Sequence, residues 1–262
     1  MDDDILLTIQ NRIATVTFNR PTQRNAIRYE GWLKLQDILT MLETQKEVAI
    51  VVLTGAGNEA FSAGADIKDF ENHRQNSGDA KIYASAFDGA MDTLESMSKP
   101  TICLIKGFCI GGGCELSMAA DIRIASSSSK FGIPVAKLGI LVGYREMRRL
   151  VNLVGPGNAS FILMSGKLFD AEDALRMGLV NQVVELPDAD EYVYKLAHDM
   201  APLAPLSQSR HKQIMQTVLK NPSLQNLSNE EHELPFTNFD SKDFQEGRQA
   251  FIERRRPSFT GE

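Results

Sequence analysis

Cysteine is scarce in this chain of 262 residues: Cys103, Cys109 and Cys114 are all it has. Their number is odd and no two are spaced as CxxC. That argues against a disulfide framework or a zinc site and for small buried residues in a reducing compartment. No basic excess exists either. The formal net charge is -6, which speaks against general nucleic-acid binding, because that needs a basic face. The one basic cluster, Arg254-Arg255-Arg256, reads as a solvated helix end or as an anion contact. No apolar run approaches the roughly 20 residues of a membrane span. The opening "MDDDILL" lacks a basic n-region, an Arg-rich presequence and a cleavage site, so a cytoplasmic protein is expected.

Several catalytic signatures are missing as well. No G-x-G-x-x-G follows the first strand, no GK[ST] follows a glycine loop, and no G-x-S-x-G occurs. His73, His198, His211 and His232 form no HExxH, and "EEHE" around His232 reads as a charged helix face. Nicotinamide, nucleotide-triphosphate, serine-hydrolase and zinc chemistry thus lose their usual markers, and no metal site is expected.

What is present is a mixed α/β pattern. "ILLTI" (5–9) and "IATVTF" (13–18) read as strands around a polar turn, and 26–46 has helical spacing with Trp32, Leu35, Leu39 and Leu42 apolar. "VAIVVLT" (48–54) and "TICLI" (101–105) are continuous apolar runs typical of strands buried on both faces. Helices are expected at 80–97, 145–154, 156–165 and 171–177, strands at 121–125 and in "NQVVEL", and mostly helix beyond about 190. The chain divides into a core over 1–195 and a helical region over 196–262.

Two glycine-bearing loops follow the buried strands. "FSAGAD" (61–66) would let a ligand approach the backbone at Gly64 and Ala65. "GFCIGGGCELS" opens a helix near Gly112 or Gly113, whose first N–H groups have no intrahelical acceptor. Amides from both loops converging on one oxygen would form an oxyanion hole, with Glu115 one helical turn past Gly112 addressing the same pocket. Taken alone, both loops also read as ordinary turns, and Glu115 as a favourable first-turn carboxylate.

These segments, with "FNRPTQRNAI", "LFDAEDALRMGLVNQVV" and "FQEGRQAFIERRRPSF", resemble the crotonase, or enoyl-CoA hydratase/isomerase, superfamily nearly end to end. The resemblance implies an α/β spiral of ββα units (ClpP-like) with a C-terminal helical trimerisation region, as a homotrimer or dimer of trimers. It implies an acyl-CoA thioester as substrate, in fatty acid metabolism, with coenzyme A entering as part of that substrate and no separate cofactor. The oxyanion donors would be the amides of Ala65 and Gly112, and Glu115 sits where the hydratases keep the first of their two catalytic glutamates. Arg24, Asn25, Ala26 and Ala65, Asp66, Ile67 and Lys68 would contact coenzyme A, with Lys68 as a phosphate partner.

One departure shapes the functional reading. The family's hydratases carry a second glutamate where this chain has Val135, in "FGIPVAKLG", and "VGYREMRRL" replaces the usual "PGxGGTQRL". Hydration divides its proton transfers between two carboxyls. A single one is more similar to methylmalonyl-CoA decarboxylase, where an apolar neighbour such as Val135 disfavours the departing carboxylate. The first expectation is therefore a one-carboxylate lyase-type reaction, decarboxylation or elimination. The alternatives are hydration by Glu115 alone, Tyr144, Arg145 or Glu146 standing in for the missing acid, and a non-catalytic CoA- or RNA-binding scaffold. The bland reading of "YREMRRL" is an ordinary helix start, and Lys137 reads as surface.

Overall fold

β-Branched runs build the middle of the molecule. The computed structural model describes residues 3–262. In chain order it runs β1 (Ile5–Gln10), β2 (Ile13–Phe18), α1 (Tyr29–Thr44), β3 (Ile50–Gly55), β4 (Ala60–Ser62), α2 (Phe70–His73), α3 (Ser77–Ser96), β5 (Thr101–Ile105), β6 (Phe108–Ile110) and α4 (Gly112–Ser117). Then come β7 (Ile122–Ser126), β8 (Lys130–Gly132), α5 (Tyr144–Ser165), β9 (Phe169–Asp170), α6 (Ala171–Met177), β10 (Gln182–Val184), α7 (Ala189–Met200), α8 (Pro205–Lys220), α9 (Asn229–Thr237) and α10 (Lys242–Glu253).

A six-stranded sheet has the order β1-β2-β3-β5-β7-β10, and a four-stranded sheet the order β4-β6-β8-β9. The chain steps from the large sheet to the small one three times, β3 to β4, β5 to β6 and β7 to β8, so each turn of the spiral is a ββα unit. Among the described residues, only β1–β2 and β8–β9 pair antiparallel.

Strands β3 and β5 are buried along their whole length, and their residues alternate between two cores. Val51, Leu53, Cys103 and Ile105 face the larger core, with Trp32, Leu35 and Leu39 of α1, Phe87 and Met91 of α3, and Phe61 and Phe131 of the small sheet. Ile50, Val52, Ile102 and Leu104 face the other, where Ala189, Val193 and Ala197 of α7, at four-residue spacing, lie against the sheet. Each such aliphatic side chain stabilises the fold by roughly 1.5–3 kcal/mol relative to exposure.

The two helices expected at 145–154 and 156–165 form one element broken at Gly155 (φ 73°) ahead of Pro156, which supplies no N–H. The division expected at residue 195 falls inside α7, and both Val193 and Ala197 pack beneath the large sheet. Arg254 caps α10 in the left-handed region and Arg255 pairs with Glu246 and Glu253, so the basic cluster is a helix end. Cys103, Cys109 and Cys114 are free and buried. Among the described residues, no helix is long and apolar enough to cross a membrane.

Candidate active site

Strands β4 and β6 are parallel neighbours, so the loops leaving their C-terminal ends lie side by side. Gly64 makes the approach possible. At φ 91°, a Cβ there would sit 2.7 Å from the Gly112 nitrogen and 2.7 Å from the Ile110 carbonyl oxygen. A Cβ built on Gly112 would in turn lie 3.3 Å from the Ala65 nitrogen. The two amides are thus neighbours, contributed by loops almost fifty residues apart.

The backbone hydrogen bonds aim both amides away from the protein's own acceptors. Ile27 bridges to Ala65 in parallel fashion: its amide donates to the Gly64 carbonyl (2.8 Å) and its carbonyl accepts from the Asp66 amide (2.9 Å). Peptide groups alternate along such a segment, so the Ala65 N–H points to the opposite side. The Gly111 amide donates to the Gly132 carbonyl (2.8 Å), leaving Gly112 as the first residue of α4 with no intrahelical acceptor. Among the described residues, neither the Ala65 nor the Gly112 amide donates to a backbone acceptor.

Glu115 stands one turn along α4, 6% exposed. Burial, then the negative charges of Glu146 and Asp88 against the positive charge of Arg74, push its pKa up to about 8. At neutral pH it is largely the acid form. An enclosed carboxylic acid beside two free amides can deliver a proton next to an oxygen that gains charge.

Val135, at the position of the family's second acid, is half-buried and packs against the larger core. The altered segment begins α5, as a helix start should. Its three candidates part ways there. Tyr144 is 97% exposed, and Arg145 turns outward to an ion pair with Asp92. Glu146 turns inward, 3% exposed, close enough for its charge to raise Glu115. Its Oε2 occupies space that a Gly143 side chain would need, 2.5 Å from the Cβ position. Burial raises the pKa values of both Glu146 and Asp88.

Arg149, with a side chain 2% exposed, ties this cluster to α3 through Asp92 (2.6 Å), Glu95 (2.7 Å) and Glu146 (3.4 Å). α5 also carries a buried acid, Glu146, close enough for its charge to act on Glu115. Asp88 and Arg149 were not singled out from the sequence. Their signal is the acidic row Asp88, Asp92, Glu95 on one face of α3 matched by Arg145, Arg148, Arg149 on α5.

The residues expected to contact coenzyme A divide similarly. Asn25 is 1% exposed with its side chain occupied: Oδ1 accepts from the Arg20 amide (3.0 Å), and Nδ2 donates to the carbonyls of Ala60 (2.7 Å) and Ala56 (3.1 Å). It fastens the loop rather than presenting an edge. Asp66 is held by Arg20 (2.8 Å). Burial works to raise its pKa, but the Arg20 hydrogen bond and the Lys68 amide take it below the usual carboxylate range. Arg24, Ile67 and Lys68 are exposed and Ala26 is half-buried. Arg24 also spans Glu59 (2.7 Å) and the Phe108 ring (4.8 Å to the centroid). Lys137 is exposed.

Comparison with known proteins gives a consistent picture. The family model for enoyl-CoA hydratase/isomerase matches residues 8–262. The chain is 33% identical over 261 residues to a crotonyl-CoA hydratase of Syntrophomonas wolfei, covering 98% of each chain. It is 34% identical over 259 residues to an (E)-benzylidenesuccinyl-CoA hydratase of Thauera aromatica, covering 98% of this chain and 99% of that one. Among solved structures, an enoyl-CoA hydratase/carnithine racemase from Magnetospirillum magneticum superposes with a TM-score of 0.95 at 37% identity, over 100% of this chain and 97% of the other.

Proposed function

Since the chain belongs to the enoyl-CoA hydratase/isomerase family, we propose that it adds water across the double bond of an enoyl-CoA thioester. The thioester carbonyl lies between the Ala65 and Gly112 amides. Water adds at the β-carbon, the electrons move onto the carbonyl oxygen, and the two amides hold the enolate that results. Glu115, in its acid form, gives a proton to the α-carbon. A fixed donor of the amide kind is worth about 3 kcal/mol of barrier.

The observation that carries this reading is the juxtaposition of two amides without backbone acceptors and the buried Glu115, whose pKa burial pushes up to about 8. Hydration is favoured over decarboxylation because both curated relatives above bear hydratase names and because Glu115 is not the only buried acid here. Arg24, Ala26, Ile67 and Lys68 take the nucleotide end of coenzyme A, with Lys68 facing phosphate. The assembly is a homotrimer or dimer of trimers, supported by the exposed Phe236, Phe251 and Ile252 on α9 and α10.

The deciding experiment is a mass-spectrometric assay of enoyl-, 3-hydroxyacyl- and malonyl-type CoAs with wild type and Glu115→Gln. We expect water addition to an enoyl-CoA by wild type, at least 100-fold slower in the variant. Turnover of malonyl-type thioesters alone would overturn the hydration reading. A thermal-shift series in which no CoA ester stabilises the protein would replace it with the non-catalytic one.

A further inference from the structure

A cavity of about 580 Å³ lies between α3, α5 and α8, and none of Ala65, Gly112 and Glu115 lines it. Its volume falls within the range of small-molecule sites. We propose that this cavity binds a small phosphorylated metabolite, at a place separate from the acyl-CoA site. The hydration reading is not needed for this, because neither the amide pair nor Glu115 takes part.

The walls of the cavity are fastened to one another. The buried Lys212 of α8 donates to Asp121 (2.7 Å) and to the Lys99 carbonyl (3.0 Å). One turn further along α8, Gln216 donates to the Glu95 carbonyl (2.6 Å), which ties α8 to the last turn of α3. On the other side Gln36 of α1 packs against Gly89 of α3, whose Cβ position lies 2.7 Å from the Gln36 Oε1.

Charge selects the ligand. The chain as a whole has a formal net charge of -6, yet Arg145, Arg148 and Lys220 line this cavity against two carboxylates, Asp92 and Glu95. Both carboxylates are already held by the buried Arg149, which does not line the cavity, at 2.6 Å and 2.7 Å. Arg145 adds a further contact to Asp92, whereas Arg148 reaches Glu95 only at 3.4 Å. Among the described residues Lys220 has no ion pair, so the cavity keeps positive charge that its own carboxylates do not cancel. Guanidinium and ammonium groups offered from two helices suit the several oxygens of a phosphate. Among the described residues no aromatic ring lines the cavity to stack a nucleobase, while Gln36 and Asn152 add amides that hydroxyl groups can meet.

Calorimetric titration of the full-length protein with inorganic pyrophosphate at fixed ionic strength tests this, with citrate as the carboxylate control. We expect pyrophosphate to bind wild type more tightly than citrate does, and to bind equally well when coenzyme A fills the substrate site. Arg148→Met and Lys220→Met should each weaken pyrophosphate binding about tenfold. Lys195→Met, which removes an exposed cation on α7, should leave it within about twofold. Lys220 is exposed at the end of α8, so its variant serves should Arg148→Met not fold. Failure of pyrophosphate to bind, binding no tighter than that of citrate, or displacement by coenzyme A overturns the proposal. So does unchanged binding in Arg148→Met and Lys220→Met, or an equal loss in Lys195→Met.

Discussion

Replacing Glu115 with glutamine should make the protein's stability respond to pH in a specific way. In the native state this carboxyl has its pKa pushed up to about 8 against an ordinary 4.5, by burial first and by its acidic neighbours second. Below 4.5 both native and unfolded chains hold the proton, and nothing is lost. As pH rises through 4.5 the unfolded chain releases it while the native chain does not. Stability therefore falls until pH reaches about 8. The whole interval amounts to about 5 kcal/mol. Adjustment of Arg74 and entry of water would reduce that, so a realized loss of ~2–5 kcal/mol is expected. Glutamine fills the same volume, stays neutral and has no such dependence. Urea unfolding of wild type and Glu115→Gln at pH 4, 6 and 9 measures it directly. The variant should gain steadily on wild type as pH rises, by an amount equivalent to roughly 10 °C in melting temperature. A difference that stays flat from pH 4 to 9 would refute the reasoning, because it would mean the carboxyl is solvated and ionised in the native state.

Gly64→Ala forces a Cβ into the Gly112 nitrogen and the Ile110 carbonyl, so it should cut kcat by about 100-fold with a smaller effect on CoA binding, as steady-state kinetics and calorimetry will show. Arg149→Met leaves Asp92, Glu95 and Glu146 without their buried cation and should cost about 3 kcal/mol in urea unfolding at pH 8. Asn25→Ala strips partners from the Ala56 and Ala60 carbonyls and the Arg20 amide. It should cost about 2 kcal/mol by denaturant midpoint, and no coenzyme A contact is lost with it.

Much of this was legible in the sequence where the physics is local. The runs "VAIVVLT" and "TICLI" had to be strands covered on both faces, and they became the two central strands that separate the cores. The glycines at 64 and 112 were read as places where a ligand reaches the backbone; their Cβ positions show that they also bring the two loops' backbones together. The family resemblance then gave Ala65 and Gly112 their roles.

What stayed hidden depended on distant packing. From the sequence, Glu146 was one of three candidates for the missing acid, beside the plainer reading of its segment as a helix start. It turns inward because Gly143 leaves room and because Arg149 is anchored by α3. The family resemblance marked Asn25 as a coenzyme A contact, and only the folded loop reveals the hydrogen bonds that its side chain closes. The absence of a carboxyl at 135 led to a one-acid reaction because a linear reading cannot see that Glu146 is turned inward and buried.

The amide pocket itself can be observed through the substrate. A carbonyl-¹³C-labelled acyl-CoA that binds without turning over should show, by isotope-edited infrared difference spectroscopy, a thioester stretch shifted to lower frequency than in water. The shift should be lost in Gly64→Ala. A bound carbonyl vibrating at its solution frequency in the wild-type protein would contradict the placement of that oxygen between Ala65 and Gly112.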